Sequence, residues 1–170
     1  MKKMLIITTA LLASLNANPA DHAEKMLKDF TYIYGAKGTG NIFNNRKTKK
    51  SEIDCSGYVQ RSYLEDGKII NNNRPLNTIG FTNSKQFKKI TREELRRGDI
   101  IIWAMDDTEY VPQHVTIYTG NNHIISAESI QMNIIHVPCF DNIRPKIKVN
   151  NYTWYNRYNK KRAYMFLRWK

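Results

Sequence analysis

The sequence predicts an α+β fold in which helices come first and a run of antiparallel strands second. Three observations carry this. Cap signals and apolar residues at helical spacing fall before residue 89. From Gly98 onward the pattern changes to short runs rich in Ile, Val, Trp and Tyr, as strands require. Gly120-Asn121-Asn122 joins two such runs as a hairpin. At 170 residues and 41% apolar composition, one domain with a buried core is expected. Two cysteines, Cys55 and Cys139, exclude a disulfide scaffold and a multi-cysteine zinc site. No apolar run reaches the ~18 residues of a membrane span.

The elements follow in order. Lys2 and Lys3 precede the apolar stretch Leu5 to Leu15, and small residues follow, so residues 1–17 read as a secretory signal, with Ala17 or Ala20 as cleavage points. Residues 18–170 then form the mature domain. A helix is expected from Asp21, with Glu24 closing a capping box and Met26, Leu27 and Phe30 forming its apolar face. Gly35, Gly38 and Gly40 end it, and Asn44 to Lys50 is a basic surface loop. Ser51 to Lys68 carries the next helix, with Tyr58, Val59, Ser62 and Tyr63 on one side and Gly67 as its stop. Asn71 to Pro75 is a loop, and Ser84 to Lys88 is expected as a short helix. Strands are expected at Ile100–Trp103, His114–Tyr118, His123–Ala127, Asn133–Val137 and Ala163–Trp169.

Cys55 is the sharpest chemical feature. It lies in Asp54-Cys55-Ser56-Gly57, at a helix start. The positive end of the helix and its unpaired N–H groups favour thiolate there and can hold an oxyanion beside the sulfur. Gly57 is expected to keep bulk off the attack path. A thiol nucleophile needs a base. His22 and His123 are expected to be exposed, and His136 lies in an apolar run as a core or edge residue. His114 opens a strand, where its side chain projects over the end of a packed helix. The base in turn needs an orienting partner. Ser126 and Glu128 share one face of the returning strand, and either is within reach of His114. Cys139 is expected as a small buried hydrophobe, with a disulfide to Cys55 chemically open in an exported chain.

These residues also carry a resemblance. Asp54-Cys55-Ser56-Gly57-Tyr58-Val59-Gln60 resembles the nucleophile motif of the NlpC-type cell-wall peptidases, a papain-like group of cysteine peptidases. Arg97-Gly98-Asp99 resembles that family's "PGD" strand entry, and His114-Val115-Thr116-Ile117-Tyr118-Thr119-Gly120-Asn121 its "HVGIYxGN" base motif. Tyr32-Ile33-Tyr34-Gly35-Ala36 resembles the "YxWGG" segment before the cysteine. The four occur in the family's order from Phe30 onward. The resemblance implies helices packed on a small antiparallel barrel-like sheet, and hydrolysis of amide bonds in peptidoglycan stem peptides. Cys55 would attack the carbonyl, and His114 would act as base and then acid. Ser126 aligns with the third catalytic position, usually His, with Glu128 as the alternative. Tyr32 would assist the substrate or oxyanion, and Asp54 and Ser56 would shape the substrate pocket. No metal or organic cofactor is implied. Thr116 replaces a family Gly, which would narrow the cleft, and Ala36 replaces the second Gly near Tyr32.

Charge fits an envelope setting. There are 27 Lys+Arg against 15 Asp+Glu, a net +12. Removing Lys2 and Lys3 with the signal leaves +10. Such a domain is drawn to anionic envelope polymers, and export argues against nucleic acid. Asn156 to Arg162 interleaves aromatics and cations and is expected as an exposed loop before the last strand. The expected protein is therefore an exported murein endopeptidase, located in the periplasm or at the cell wall. Its rivals are a catalytically impaired wall-binding module and a secreted effector or lysin against another cell's wall.

Overall fold

Asn18 starts the first helix. Its side chain accepts the Ala20 N–H at 2.9 Å, and Asp21 accepts the Asn18 N–H at 2.8 Å, a reciprocal capping box. Helix α1 therefore spans Pro19–Lys25, three residues ahead of the box expected at Asp21 and Glu24. Pro19 suits the first helical position, where its missing N–H costs nothing. The residues α1 buries are Pro19, Ala20 and Ala23. Met26, Leu27 and Phe30 do pack against the core, but from beyond the helix end. The computed structural model describes residues 18–40, 47–105, 112–128, 132–139, 148–149, 152–153 and 161–170. The expected leader, the loop positions Asn44 to Arg46 and the stretch from Asn156 to Lys160 lie outside the described residues.

Thr31–Tyr32 (β1) and Glu52–Ile53 (β2) form a short parallel pair that the sequence pattern did not announce. Helix α2, Cys55–Glu65, follows directly. It is shorter than the expected 51–68, because residues 52 and 53 pair as strand and Gly67, at φ +74°, stops the other end. There the Gly67 N–H meets the Leu64 carbonyl at 2.9 Å and the Lys68 N–H reaches Tyr63 at 2.8 Å, a Schellman closure. Asn71, Asn72 and Asn73 all take positive φ in a 3-10 turn at Ile70–Asn73, a conformation asparagine tolerates. Helix α3 is Thr78–Asn83, capped by Asn77. Ser84 ends it, and residues 87–90 are strand, not the helix expected at Ser84 to Lys88.

The remaining strands are β3 (Phe87–Ile90), β4 (Ile100–Met105), β5 (Pro112–Gly120), β6 (His123–Glu128), β7 (Asn133–Pro138), β8 (Lys148–Val149), β9 (Tyr152–Thr153) and β10 (Lys161–Trp169). Six of them form one sheet in the order β3-β10-β4-β5-β6-β7, antiparallel at every pairing. Register shifts in three of the pairings curve it. Among the described residues no pairing closes β3 onto β7. Strand β4 shows why its apolar run is continuous. Ile100 and Ile102 face a core shared with α1 and α2, while Ile101 and Trp103 face a second cluster with Ile124 and Val137. Helix α2 lies on β5, and the Tyr58 hydroxyl donates to the Ala23 carbonyl of α1 at 2.6 Å. Arg97 ties α1 to the sheet, bonding Asp21 and Glu24 and donating to the Thr119 carbonyl at 2.6 Å.

Candidate active site

The start of α2 is built from both sides. The Asp54 N–H donates to the Ala36 carbonyl at 2.8 Å, which holds the residue extended. Its carboxylate accepts the Gly57 N–H at 2.7 Å and so caps the helix. Gly57 is needed there for close packing. A Cβ would meet Ile53 Cγ1 at 2.8 Å and the Ala36 carbonyl oxygen at 3.1 Å. That is a different reason from the open attack path expected of it.

Cys55 is thereby the first residue of the helix, 8% exposed, with its sulfur 4.0 Å from Thr78 Oγ1. Burial pushes its thiol up and the Asp54 charge adds to that. The charge and hydrogen bond of His114, with the Val115 N–H, outweigh both and hold it below the ordinary thiol range.

His114 reaches Cys55 from β5. Its Nε2 is occupied on the other side, 2.6 Å from Ser126 Oγ and 2.9 Å from Glu128 Oε1. Nδ1 is therefore the nitrogen left to face the sulfur. Ser126 donates to Glu128 Oε1 at 2.6 Å, so the three side chains form a closed triangle. All are buried, Ser126 to 1% and Glu128 to 2% exposure. The sequence left Ser126 and Glu128 as alternatives; the hairpin brings both to the same nitrogen. Alternation along β6 accounts for this, since residues 126 and 128 share a face.

Tyr32 enters from β1, tied by its N–H to the Met132 carbonyl at 3.0 Å. Burial, then the charges of Cys55, Asp54 and Glu128, push its phenol well above the ordinary range. It stays a protonated hydroxyl next to the thiol. Asp54 and Ser56 flank the nucleophile, 4% and 2% exposed. Their polar atoms are turned to a residue the sequence reading missed. The Lys37 ammonium lies 2.5 and 2.7 Å from the two Asp54 oxygens and also bonds Ser56 Oγ. No local signal marks Lys37, a lysine between Ala36 and Gly38.

The other expectations fall elsewhere. Thr116 does not narrow the cleft. It is wholly buried, and its hydroxyl accepts the Trp103 indole N–H at 2.9 Å. His22 is half-buried beside Asp66 at 3.6 Å, and His123 is half-buried with its ring edge on His136 at 5.5 Å; neither is the free surface residue expected. His136 sits at the sheet edge, bonded to Thr119. Cys139 is half-buried against the second cluster, and neither it nor Cys55 is in a disulfide. Among the described residues no group of three or more His, Cys, Asp or Glu is placed to hold a metal ion.

A thiol at a helix N-terminus, faced by an imidazole from an antiparallel sheet, defines the papain-like class of α+β folds. The particular family follows from comparison. Residues 31–163 match the NlpC/P60 family, and the chain belongs to it. It is 32% identical over 115 residues to Murein DD-endopeptidase MepS/Murein LD-carboxypeptidase of Escherichia coli (strain K12), covering 68% of this chain and 50% of that protein. The chain thus spans about half the length of the curated relatives it matches. Among solved structures it is similar to the P60 domain of antigen MAP1204 from M. avium subspecies paratuberculosis. The TM-score is 0.54 at 16% identity, over 86% of this chain and 92% of that one. It is also similar to the peptidoglycan hydrolase RipB of Mycobacterium tuberculosis, with a TM-score of 0.55 at 17% identity, over 88% and 64%. These likenesses establish the shared fold.

Proposed function

We propose that this chain is an exported cysteine peptidase that hydrolyses amide bonds in peptidoglycan stem peptides, with residues 18–170 as one catalytic domain behind a leader at 1–17. The observation that carries it is the Cys55–His114 pair, with the far nitrogen of His114 held by Ser126 and Glu128. In this reading His114 takes the thiol proton and the Cys55 sulfur attacks the substrate carbonyl carbon. The resulting oxyanion is met by the N–H groups at the start of α2 and by the Tyr32 hydroxyl. The carbon–nitrogen bond then breaks, and His114 returns the proton to the leaving amine. Water, deprotonated by His114, cleaves the thioester, releasing the carboxylate and restoring the thiol. Glu128 stabilises the imidazolium formed in each half, and Ser126 fixes the ring.

The murein names of the relatives and the basic charge support the wall as substrate and the envelope as location. The rival of an inactive binding module rested on Ser126 bringing no charge, and Glu128 supplies one beside it. No helix among the described residues is long and apolar enough to cross a membrane. The test is digestion of purified peptidoglycan by the protein from Asn18 onward, beside Cys55→Ala, with products read by mass spectrometry. Stem-peptide fragments from the wild type alone are expected. No fragments from a folded, reduced wild type would overturn the reading.

A further inference from the structure

The Asp54 and Ser56 side chains next to the nucleophile form a pair of acceptors suited to an ammonium group, and the chain fills it with its own. An ammonium has three N–H donors. Those of Lys37 meet Asp54 Oδ1, Asp54 Oδ2 and Ser56 Oγ. Asp54 Oδ1 further accepts the Gly57 N–H and the Ser56 hydroxyl. The Lys37 side chain is 4% exposed. The three donors of the cation are thereby all used, and Asp54 Oδ1 already takes three contacts. The stem of Lys37 also lines a cavity of about 550 Å³ on the flank of α2, together with Phe30, Gly57, Gln60 and Arg61. A peptide amine brought to Asp54 and Ser56 would meet a cation already seated there.

We propose that Lys37 is a specificity-determining and positioning residue: it occupies the ammonium-binding pair beside Cys55. The site therefore disfavours peptides that begin there with a free amine and accepts chains that continue through an amide. The specificity half rests on the peptidase reading above. The occupancy half does not, since Lys37 also offsets the Asp54 charge that faces the thiol. The charged or titratable groups around Cys55 are His114 from β5, Tyr32 from β1 and Asp54 from the cap, with Glu128 behind His114.

Two measurements test this. The first compares stem peptides that differ only at their N-terminus, free amine against acetyl cap, placed one, two or three residues before the bond cut. Wild type and Lys37→Arg are expected to favour the capped peptide. Lys37→Met should shift the ratio of kcat/KM toward the free amine by about tenfold, the worth of one charge-assisted hydrogen bond. An unchanged ratio in an active Lys37→Met overturns the specificity half. The second needs no substrate. Iodoacetamide alkylation of Cys55 is followed in a Cys139→Ala background. Lys37→Ala should slow alkylation at neutral pH, propylammonium should restore it, and tetramethylammonium, which has no donors, should not. Lys37→Ala/Asp54→Asn, which keeps a good cap, should need no rescue. Absence of rescue in the folded single variant overturns the occupancy half. If wild type cuts no peptide, the peptidase reading fails and the specificity half with it, and the rescue still decides the occupancy half.

Discussion

Asp54 and Glu128 are both buried carboxylates, 4% and 2% exposed, one on each side of the thiol–imidazole pair. They are held in different ways. Asp54 has a permanent counter-ion in Lys37 and also caps α2. Glu128 has the Ser126 hydroxyl and one nitrogen of His114, which carries charge only in part of the proposed cycle. A carboxylate with a fixed cation organises the backbone around it. One whose cation comes and goes can follow a reaction. Removing either partner of a buried pair strands a charge, so both are sensitive positions, but only Glu128 is expected to act on the rate through the imidazole.

The largest effect expected is on the reacting pair. Cys55→Ala or His114→Ala should lower turnover about 10⁴-fold, with the melting temperature of Cys55→Ala close to wild type; a variant keeping a tenth of the activity would sink the assignment. Next comes the contrast within the triangle. Glu128→Gln keeps shape and loses charge, and kcat should fall about 10²-fold. Ser126→Ala loses the hydrogen bonds to His114 and Glu128 but removes no charge, and kcat should fall about tenfold. Equal effects of the two would remove the distinction drawn here between charge and orientation.

The thiol offers a pH test with a defined sign. His114 holds the Cys55 thiol down, so alkylation should titrate at a lower pH than a free cysteine. His114→Ala should move the midpoint upward, since burial and Asp54 both oppose the thiolate. A midpoint unmoved by that change would break the pairing. The smallest effect belongs to a residue outside the site. Arg97→Ala loses bonds to Asp21, Glu24 and the Thr119 carbonyl. The side chain is a third exposed, so solvent screens the pairs, and about 1 kcal/mol of stability is expected to go. Denaturant unfolding measures it, and kcat should not change.

Where the residues of the candidate site lie was largely legible in the sequence, because local rules announce the elements that carry them. Cys55 is expected at a helix start and begins α2, although the helix is expected from Ser51 and the cap at Asp54 comes only from the structure. Asn121 and Asn122 take φ of 49° and 57°, the turn their types favour, and that turn brings β6 back beside β5. What escaped was set by tertiary contact. Residues 87–90, Phe-Lys-Lys-Ile, have no strand pattern of their own and become a strand by pairing with residues 166–169 of β10. The two-residue pair β1–β2 has too little length to show a period. Lys37 matters only because the chain folds Gly35 to Gly38 against the start of α2, a proximity that no spacing encodes.

The place of β10 has a consequence for the order of assembly. Strand β10 lies between β3 and β4, and it pairs with both. On a ribosome, a chain paused before Lys161 has β3 and β4 with the inner edges that β10 occupies still unpaired. Open edges of this kind recruit strands from other chains. The β3 side of the sheet joins the rest only when β10 arrives, which makes its folding a late, non-local event and makes a form lacking β10 the species most in need of a chaperone.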